Sequence, residues 1–303
     1  MKTLICIVGP TASGKTSLAI SIAKHYQTEI LSADSRQFFR EMEIGTAKPT
    51  SEELSQVPHH FVNNKSILEE YDAGTYAEEA LALLNKLFEE HEVVVLCGGS
   101  GLYIKAVCEG FDEIPQVPEA IRQKLNSELE NFGLPNLVEK LEQIDPEYYQ
   151  VVDKNNPQRV VRALEVFEAT RLPYSSFRKS EKKARPFRTI KIGLDLPREE
   201  LYGRIDARMD VMLSKGLLEE VKILIKYRHI NALQTVGYSE IFDFLDGKYD
   251  WNECVRLLKQ NSRRYAKRQL TWFKRDKATH WYNPKDLDGI FGFLDLELLN
   301  KQT

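Results

Sequence analysis

Cysteine is sparse in this 303-residue chain, with only Cys6, Cys97, Cys108 and Cys254, and no Cys-x-x-Cys pair among them. Scattered thiols on or near apolar segments exclude a disulfide framework and a zinc-thiolate centre, and they fit a reducing compartment. Histidine supplies no metal cluster either: the adjacent His59 and His60 read as loop residues making local hydrogen bonds. No apolar run approaches the length of a membrane span, and the chain begins on a core-type strand instead of a secretory leader, so a cytoplasmic setting without a membrane partner is expected. Excess charge of one sign is missing too. The formal net charge of −3 by itself points to no nucleic-acid partner. Internal repeats and low-complexity tracts are absent. What remains is a soluble globular composition, 42% hydrophobic and 29% charged, long enough for one large domain or two smaller ones.

Against these absences stands one strong local pattern. Gly9-Pro10-Thr11-Ala12-Ser13-Gly14-Lys15-Thr16 follows the apolar run Leu4-Ile5-Cys6-Ile7-Val8, the spacing of a P-loop that wraps oligophosphate oxygens in backbone N–H groups and sets a lysine against their charge. Leu18, Ala19, Ile22, Ala23 and Tyr26 recur at helical spacing, so a helix is expected to start near Lys15 with its positive end on the same anion. The strand Val93–Cys97 ends in Gly98-Gly99 where a P-loop ATPase often carries a metal-binding aspartate, which argues against a standard nucleotide hydrolase.

Strand-like runs at Leu4–Val8, Glu29–Ala33 and Val93–Cys97 alternate with helical patterns, including one over Ser66–Glu90. That order implies an α/β fold, a parallel sheet flanked by helices with P-loop NTPase-like topology. After Gly110 no convincing strand appears until Thr189–Leu196, and Asp145-Pro146 and Asn156-Pro157 mark helix starts, each a capping side chain before a proline. The expected division is a P-loop core over 1–112 and 187–303 with an all-helical insertion over 113–186. Beyond the strand the chain reads as mainly helical: Leu201, Ile205, Met209 and Met212 share one face, and Leu217, Val221 and Leu224 continue the stripe.

Asp34 follows the second strand, on the rim where ligands of open α/β sheets gather; it reads as a general base, or as a turn-forming or capping aspartate. Gly98-Gly99-Ser100-Gly101 would let backbone approach a substrate closely. Charge is also uneven. Arg178 to Lys191 is basic except for Glu181, and Lys259 to Lys274 contains no acid. In the latter, Arg264, Arg268, Thr271 and Arg275 repeat at helical spacing beside Tyr265 and Trp272, which suits an RNA backbone with unstacked bases or a solvated helix face over buried aromatics. From these residues three readings stay open: an enzyme acting on RNA, a P-loop kinase with Asp34 activating a hydroxyl, and an RNA-binding protein with a vestigial phosphate loop.

Taken together, the blocks at 9–16, Asp34-Ser35-Arg36-Gln37, Ile44-Gly45-Thr46-Ala47-Lys48-Pro49, Pro58-His59-His60, Gly98–Tyr103, Asn156–Glu165, Val236-Gly237-Tyr238 and Arg264–Phe273 closely resemble the tRNA dimethylallyltransferase (tRNA isopentenyltransferase) family, bacterial type, over most of the chain. Ser100, where many members have threonine, and Phe38-Phe39, in place of a commoner Val-Tyr, are mild departures. The resemblance implies transfer of a dimethylallyl group from dimethylallyl diphosphate to N6 of the adenosine 3′-adjacent to the anticodon, in tRNAs reading codons that begin with U. It implies that Thr11, Ala12, Ser13, Gly14, Lys15 and Thr16 hold the diphosphate, that Thr16 binds Mg²⁺, that Asp34 is the base, and that Arg208, chosen over Arg204, assists at the diphosphate. It further implies tRNA contacts by Asp34, Ser35, Arg36, Gln37, Ser100, Gln158, Arg159, Val160, Val161, Arg162, Gly237, Tyr238, Lys267, Arg268, Gln269, Thr271 and Trp272. The insertion would clamp the anticodon stem-loop, the enzyme would act as a monomer, and the eukaryotic members' C-terminal zinc finger is missing.

Overall fold

The computed structural model describes residues 1–179 and 182–299, which leaves Glu181 and the last four residues of the expected core outside the described part. In chain order the elements are β1 (Thr3–Val8), α1 (Lys15–His25), β2 (Ile30–Ser32), α2 (Ser51–Gln56), β3 (His59–His60), α3 (Ala73–Glu90), β4 (Val93–Gly98), α4 (Gly101–Glu109), α5 (Glu119–Ile144), α6 (Pro146–Val151), α7 (Pro157–Thr170), β5 (Arg188–Leu194), α8 (Arg198–Ser214), α9 (Leu217–Leu224), α10 (Ser239–Leu245), α11 (Trp251–Phe273), β6 (Thr279–Tyr282) and α12 (Leu287–Leu299). The strands form one six-stranded sheet in the order β3-β2-β4-β1-β5-β6, and every pairing is parallel.

β1 is buried at every position, as a strand covered by helices on both faces must be, and this explains its unbroken apolar run. Register then sets the functional rim. Val8 pairs with Gly98 on one side and Gly193 on the other, while Ser32 pairs with Cys97. The carboxyl ends of β1, β2, β4 and β5 therefore finish level, so Gly9, Asp34 and Gly99 leave the sheet on one edge. α1 anchors this edge by packing Leu18, Ala19, Ile22 and Ala23 against Ile5 and Ile7, with Ile290 and Leu294 of α12 in the same core. A second core joins Met209 of α8, Leu217 and Val221 of α9, and Leu258 of α11 to Phe39 and Met42, which follow β2.

The chain divides into two compact units, Met1–Glu109 with Ala184–Thr303, and Gly110–Lys183. Among the described residues, the smaller unit holds only helices. Its core gathers Leu125, Leu137, Leu141, Tyr148, Val160, Val161 and Leu164. Asp145 accepts from the Tyr148 amide at 3.0 Å and the Ser175 amide at 2.8 Å, and Asn156 accepts from Arg159 N at 3.2 Å; both are the caps the Asp-Pro and Asn-Pro pairs predict.

Other expectations are revised. His59 and His60 form a short edge strand rather than a loop, and a sixth strand, β6, follows the stretch read as helical. The helix expected from Ser66 begins only at Ala73, because the Asp72 carboxylate accepts from the Gly74 and Thr75 amides and fixes the start there. Arg275 lies past the end of α11, so the cationic face stops before it. The four cysteines are free thiols, three buried and Cys97 half-buried. No helix among the described residues is long and apolar enough to cross a membrane.

Candidate active site

The phosphate loop is built by backbone geometry that only its particular residues tolerate. Gly9 has φ 148°, and a Cβ there would stand 3.0 Å from the Leu194 carbonyl and 3.2 Å from Ser13 Oγ. Gly14, left-handed at φ 93°, sits at the N-cap of α1, so the first amides of that helix have no capping side chain and are free to bind an anion. Ala12 at φ 62° is a non-glycine residue in the left-handed region, a strained conformation of the kind kept at ligand-binding turns. Ser13 is buried, and its hydroxyl has no hydrogen-bond partner among the described residues.

Two cations face this loop. Lys15 folds back so that Nζ donates to the Pro10 carbonyl at 2.7 Å. Burial lowers its pKa to about 8, with Cys97 and Asp34 opposing the fall and Arg208 adding to it. Arg208 of α8 donates to Thr11 Oγ1 at 3.3 Å and to the Ala47 carbonyl at 3.2 Å, and burial likewise depresses its pKa while Asp34 supports its charge. Arg204, one turn earlier, pairs instead with Glu200 at 2.9 Å. Only Arg208 thus reaches the loop.

Asp34 lines the same cavity as Lys15, Thr16, Thr11 and Arg208. Its Oδ1 accepts from the Arg36 amide at 3.0 Å, so the turn-forming role is real. The second oxygen has no hydrogen-bond partner among the described residues and remains available to a ligand. The following turn is tied to β4: Ser35 N donates to Ser100 Oγ at 2.8 Å, and Ser100 N to the Ala33 carbonyl at 3.2 Å.

The glycines at the end of β4 and just beyond it serve packing. A Cβ on Gly98 would come 2.1 Å from the Ala33 carbonyl, one on Gly101 2.1 Å from the Trp272 ring, and one on Gly99 2.3 Å from Gln269 Nε2. Close approach is therefore made to β2 and α11. Gln269 is the cross-tie, accepting from Thr11 N at 2.8 Å and donating to the Gly99 carbonyl at 2.9 Å, so one side chain joins the phosphate loop to the β4 turn. Replacing it with leucine strands a buried donor and acceptor and is expected to cost about 1–3 kcal/mol of stability, read as a lower urea midpoint. An unchanged midpoint would remove the cross-tie from the account.

Of the other expected RNA contacts, Lys267, Arg268, Thr271 and Trp272 form the exposed face of α11, with the Arg268 guanidinium 5.7 Å from the Tyr265 ring. Gln37 donates to the Thr46 and Ala47 carbonyls, both at 3.3 Å. Gln158 and Arg159 are exposed on the smaller unit, and Arg162 is held by Glu165 at 3.3 Å. Three expectations are revised: Val160 and Val161 belong to the smaller unit's core and Tyr238 is wholly buried, so these side chains offer no surface to RNA. Gln269 is largely buried but lines the cavity. Gly237, left-handed at φ 99°, donates its amide to Glu240 at 2.8 Å.

Sequence reasoning missed three contributors. Ile205, Met209, Met212 and Leu217, read only as a helix stripe, form an apolar cavity wall with Val236 and Tyr265. Glu240 bridges Gly237 N and Asn261 Nδ2. Glu220 accepts from the amides of Glu43, Ile44 and Gly45 and from the Tyr238 hydroxyl, at 3.0, 2.7, 3.0 and 2.6 Å. Two glutamates side by side in the first turn of a helix, Glu219 and Glu220, look like a solvated helix start, and nothing local distinguishes the one that turns in.

Comparison with known proteins adds independent findings. A family model described as IPP transferase matches residues 37–276. The chain is 54% identical over 297 residues to a tRNA dimethylallyltransferase of Cytophaga hutchinsonii, covering 98% of each, and 47% identical to tRNA dimethylallyltransferase 1 of Bacteroides thetaiotaomicron, covering 99% of this chain and 97% of the relative. Among solved structures it is similar to a full-length tRNA isopentenylpyrophosphate transferase of Bacillus halodurans, with TM-score 0.74, 36% identity and coverage of 100% and 98%. It is also similar to a eukaryotic dimethylallyltransferase described as acting on tRNA, with TM-score 0.76, 26% identity and coverage of 95% and 75%.

Proposed function

The chain belongs to the IPP transferase family, and from that premise we propose that it transfers a dimethylallyl group from dimethylallyl diphosphate to N6 of the adenosine 3′-adjacent to the anticodon, in tRNAs reading codons that begin with U. The observation that supports this most is the cavity itself, where a cation-backed phosphate loop and a carboxylate with one open oxygen line the same space. An anion rim facing a proton acceptor is what alkyl transfer from a diphosphate to an amine requires.

In this reading the amides of residues 12–16, with Lys15 and Arg208, bind the diphosphate and stabilise charge as the bond between C1 and the diphosphate oxygen breaks, its electron pair leaving with diphosphate. N6 attacks C1, and Asp34 orients the amine and takes its proton as the carbon–nitrogen bond forms. The adenine must first leave its stack, at about a few kcal/mol. Exposed Arg268 and Trp272, with Lys267 and Thr271, offset that cost by holding the surrounding backbone and bases.

The donor set suits Mg²⁺. Among the described residues no three His, Cys, Asp or Glu side chains gather as a cage, and an ion that takes most of its coordination from phosphate oxygens and water needs little more than the Thr16 hydroxyl. When bound it would supply further charge neutralisation at the diphosphate. We place the enzyme in the cytoplasm as a monomer, with Gly110–Lys183 gripping the anticodon stem-loop through Gln158, Arg159 and Arg162.

The test is to incubate the protein with tRNA, labelled dimethylallyl diphosphate and Mg²⁺ without ATP, then identify the modified nucleoside by mass. Failure to label adenosine, with ADP formed from ATP and a small acceptor instead, would establish the kinase reading. A narrower result is expected of Arg268→Ala: weaker tRNA binding and a log–log salt slope shallower by about 1, as for the loss of one phosphate contact. If titrations at several salt concentrations return the same slope, the exposed face of α11 is only a solvated surface.

A further inference from the structure

The Glu220 carboxylate is saturated by four donors, three of them consecutive backbone amides of the turn at 43–45. So full a set of partners is more than a helix start or a surface ion pair needs, and it fixes the path of that turn. Tyr238 completes the lock, since its ring lies where a Cβ on Gly45 would stand 2.5 Å away, so no residue but glycine fits between them.

What the turn holds is its far end. Ala47, at φ 47°, presents its carbonyl to Arg208 at 3.2 Å and to Gln37 at 3.3 Å. Arg208 spans from there to Thr11 Oγ1 on the phosphate loop. A buried guanidinium without a fixed acceptor has a poorly defined direction, because each lost hydrogen bond leaves a desolvated donor to find another partner. We infer that Glu220 is a positioning residue: through the 43–47 turn and the Ala47 carbonyl it aims Arg208 at the phosphate loop, without touching substrate itself. Tyr238 shares this task through its hydroxyl.

The inference rests on the diphosphate-binding reading of the loop, and its test does not depend on turnover. Binding of inorganic diphosphate with Mg²⁺ to the full chain is measured by calorimetry for wild type, Glu220→Gln, Arg208→Lys and the double variant. Glutamine turns an NH₂ toward backbone amides, so Glu220→Gln should weaken diphosphate binding about tenfold in the wild-type background and less than about twofold when residue 208 is lysine, which cannot bridge both acceptors. Equal losses in the two backgrounds, or no loss in the first, would overturn the inference. Should Glu220→Gln fail to fold, Tyr238→Phe removes a single bond to the same carboxylate and should show a smaller loss with the same dependence on Arg208; additivity there would overturn it equally. In turnover, KM for the prenyl donor should rise with KM for tRNA unchanged, which a general loss of structure would not produce. If wild type binds diphosphate with this coupling but prenylates no tRNA, the proposed reaction fails and the role of Glu220 stands.

Discussion

Asp34→Asn is expected to lower turnover by about 10²-fold or more while changing tRNA affinity by less than about threefold. The substitution isolates one property. Asparagine keeps the size and the carbonyl oxygen that can accept from Arg36 N, the 3.0 Å contact that shapes the turn after β2, so the path of Ser35, Arg36 and Gln37 should survive. What is lost is the carboxylate oxygen that has no partner among the described residues, the one that the proposed reaction uses to take the N6 proton. Asp34→Ala removes both and should add a loss of stability that Asn does not show. Single-turnover rates with tRNA already bound separate the chemical step from binding. Near-normal rates for the asparagine variant would leave Asp34 as a turn residue, and the base would have to be sought elsewhere on the rim.

How legible the site was depended on how local its causes are. The phosphate loop could be read because strand, Gly-Lys-Thr and helix follow one another within about 25 residues, and each is dictated by short-range rules of backbone freedom and helix start. Asp34 could be placed because a strand end in a parallel sheet defines a rim. Gln269 and Glu220 could not. Gln269 meets Thr11 across 258 residues and Glu220 meets Gly45 across 175, and a polar residue inside a helix carries no local mark of which amide it will find. Short strands failed for a related reason. His59-His60 has only two residues and no alternation, so its extension is imposed by pairing with β2 rather than by its own propensity. The glycines at the end of β4 and just beyond it were visible as a cluster, yet their cause, the nearness of Ala33 and of side chains on α11, lay in tertiary packing. Val160 and Val161 show the reverse error: a family block marks positions that matter without telling which of them face outward.

Lys15 yields the second large effect and a pH dependence with two signs. Lys15→Ala should reduce kcat/KM by about 10²–10³-fold, the scale for losing a donor aimed at a developing anion. Burial holds the ammonium pKa at about 8, against about 10.4 in an unfolded chain. Between those values the unfolded state binds more protons, so the stability attributable to Lys15 should rise with pH across that window. Diphosphate binding should move the other way. A bound polyanion favours the charged lysine, so near pH 8 binding takes up a proton, and affinity should fall by up to about tenfold per pH unit above that point. Diphosphate titrates as well, which is why the informative quantity is the difference between wild type and Lys15→Ala at each pH. Calorimetry in buffers of different ionisation enthalpy counts the protons directly. Wild-type-to-variant differences that trend in opposite directions for stability and affinity would tie both to one buried ammonium; a difference that stays flat with pH would mean that Lys15 remains charged throughout, and that its contact with the Pro10 carbonyl is stronger compensation for burial than the cavity suggests.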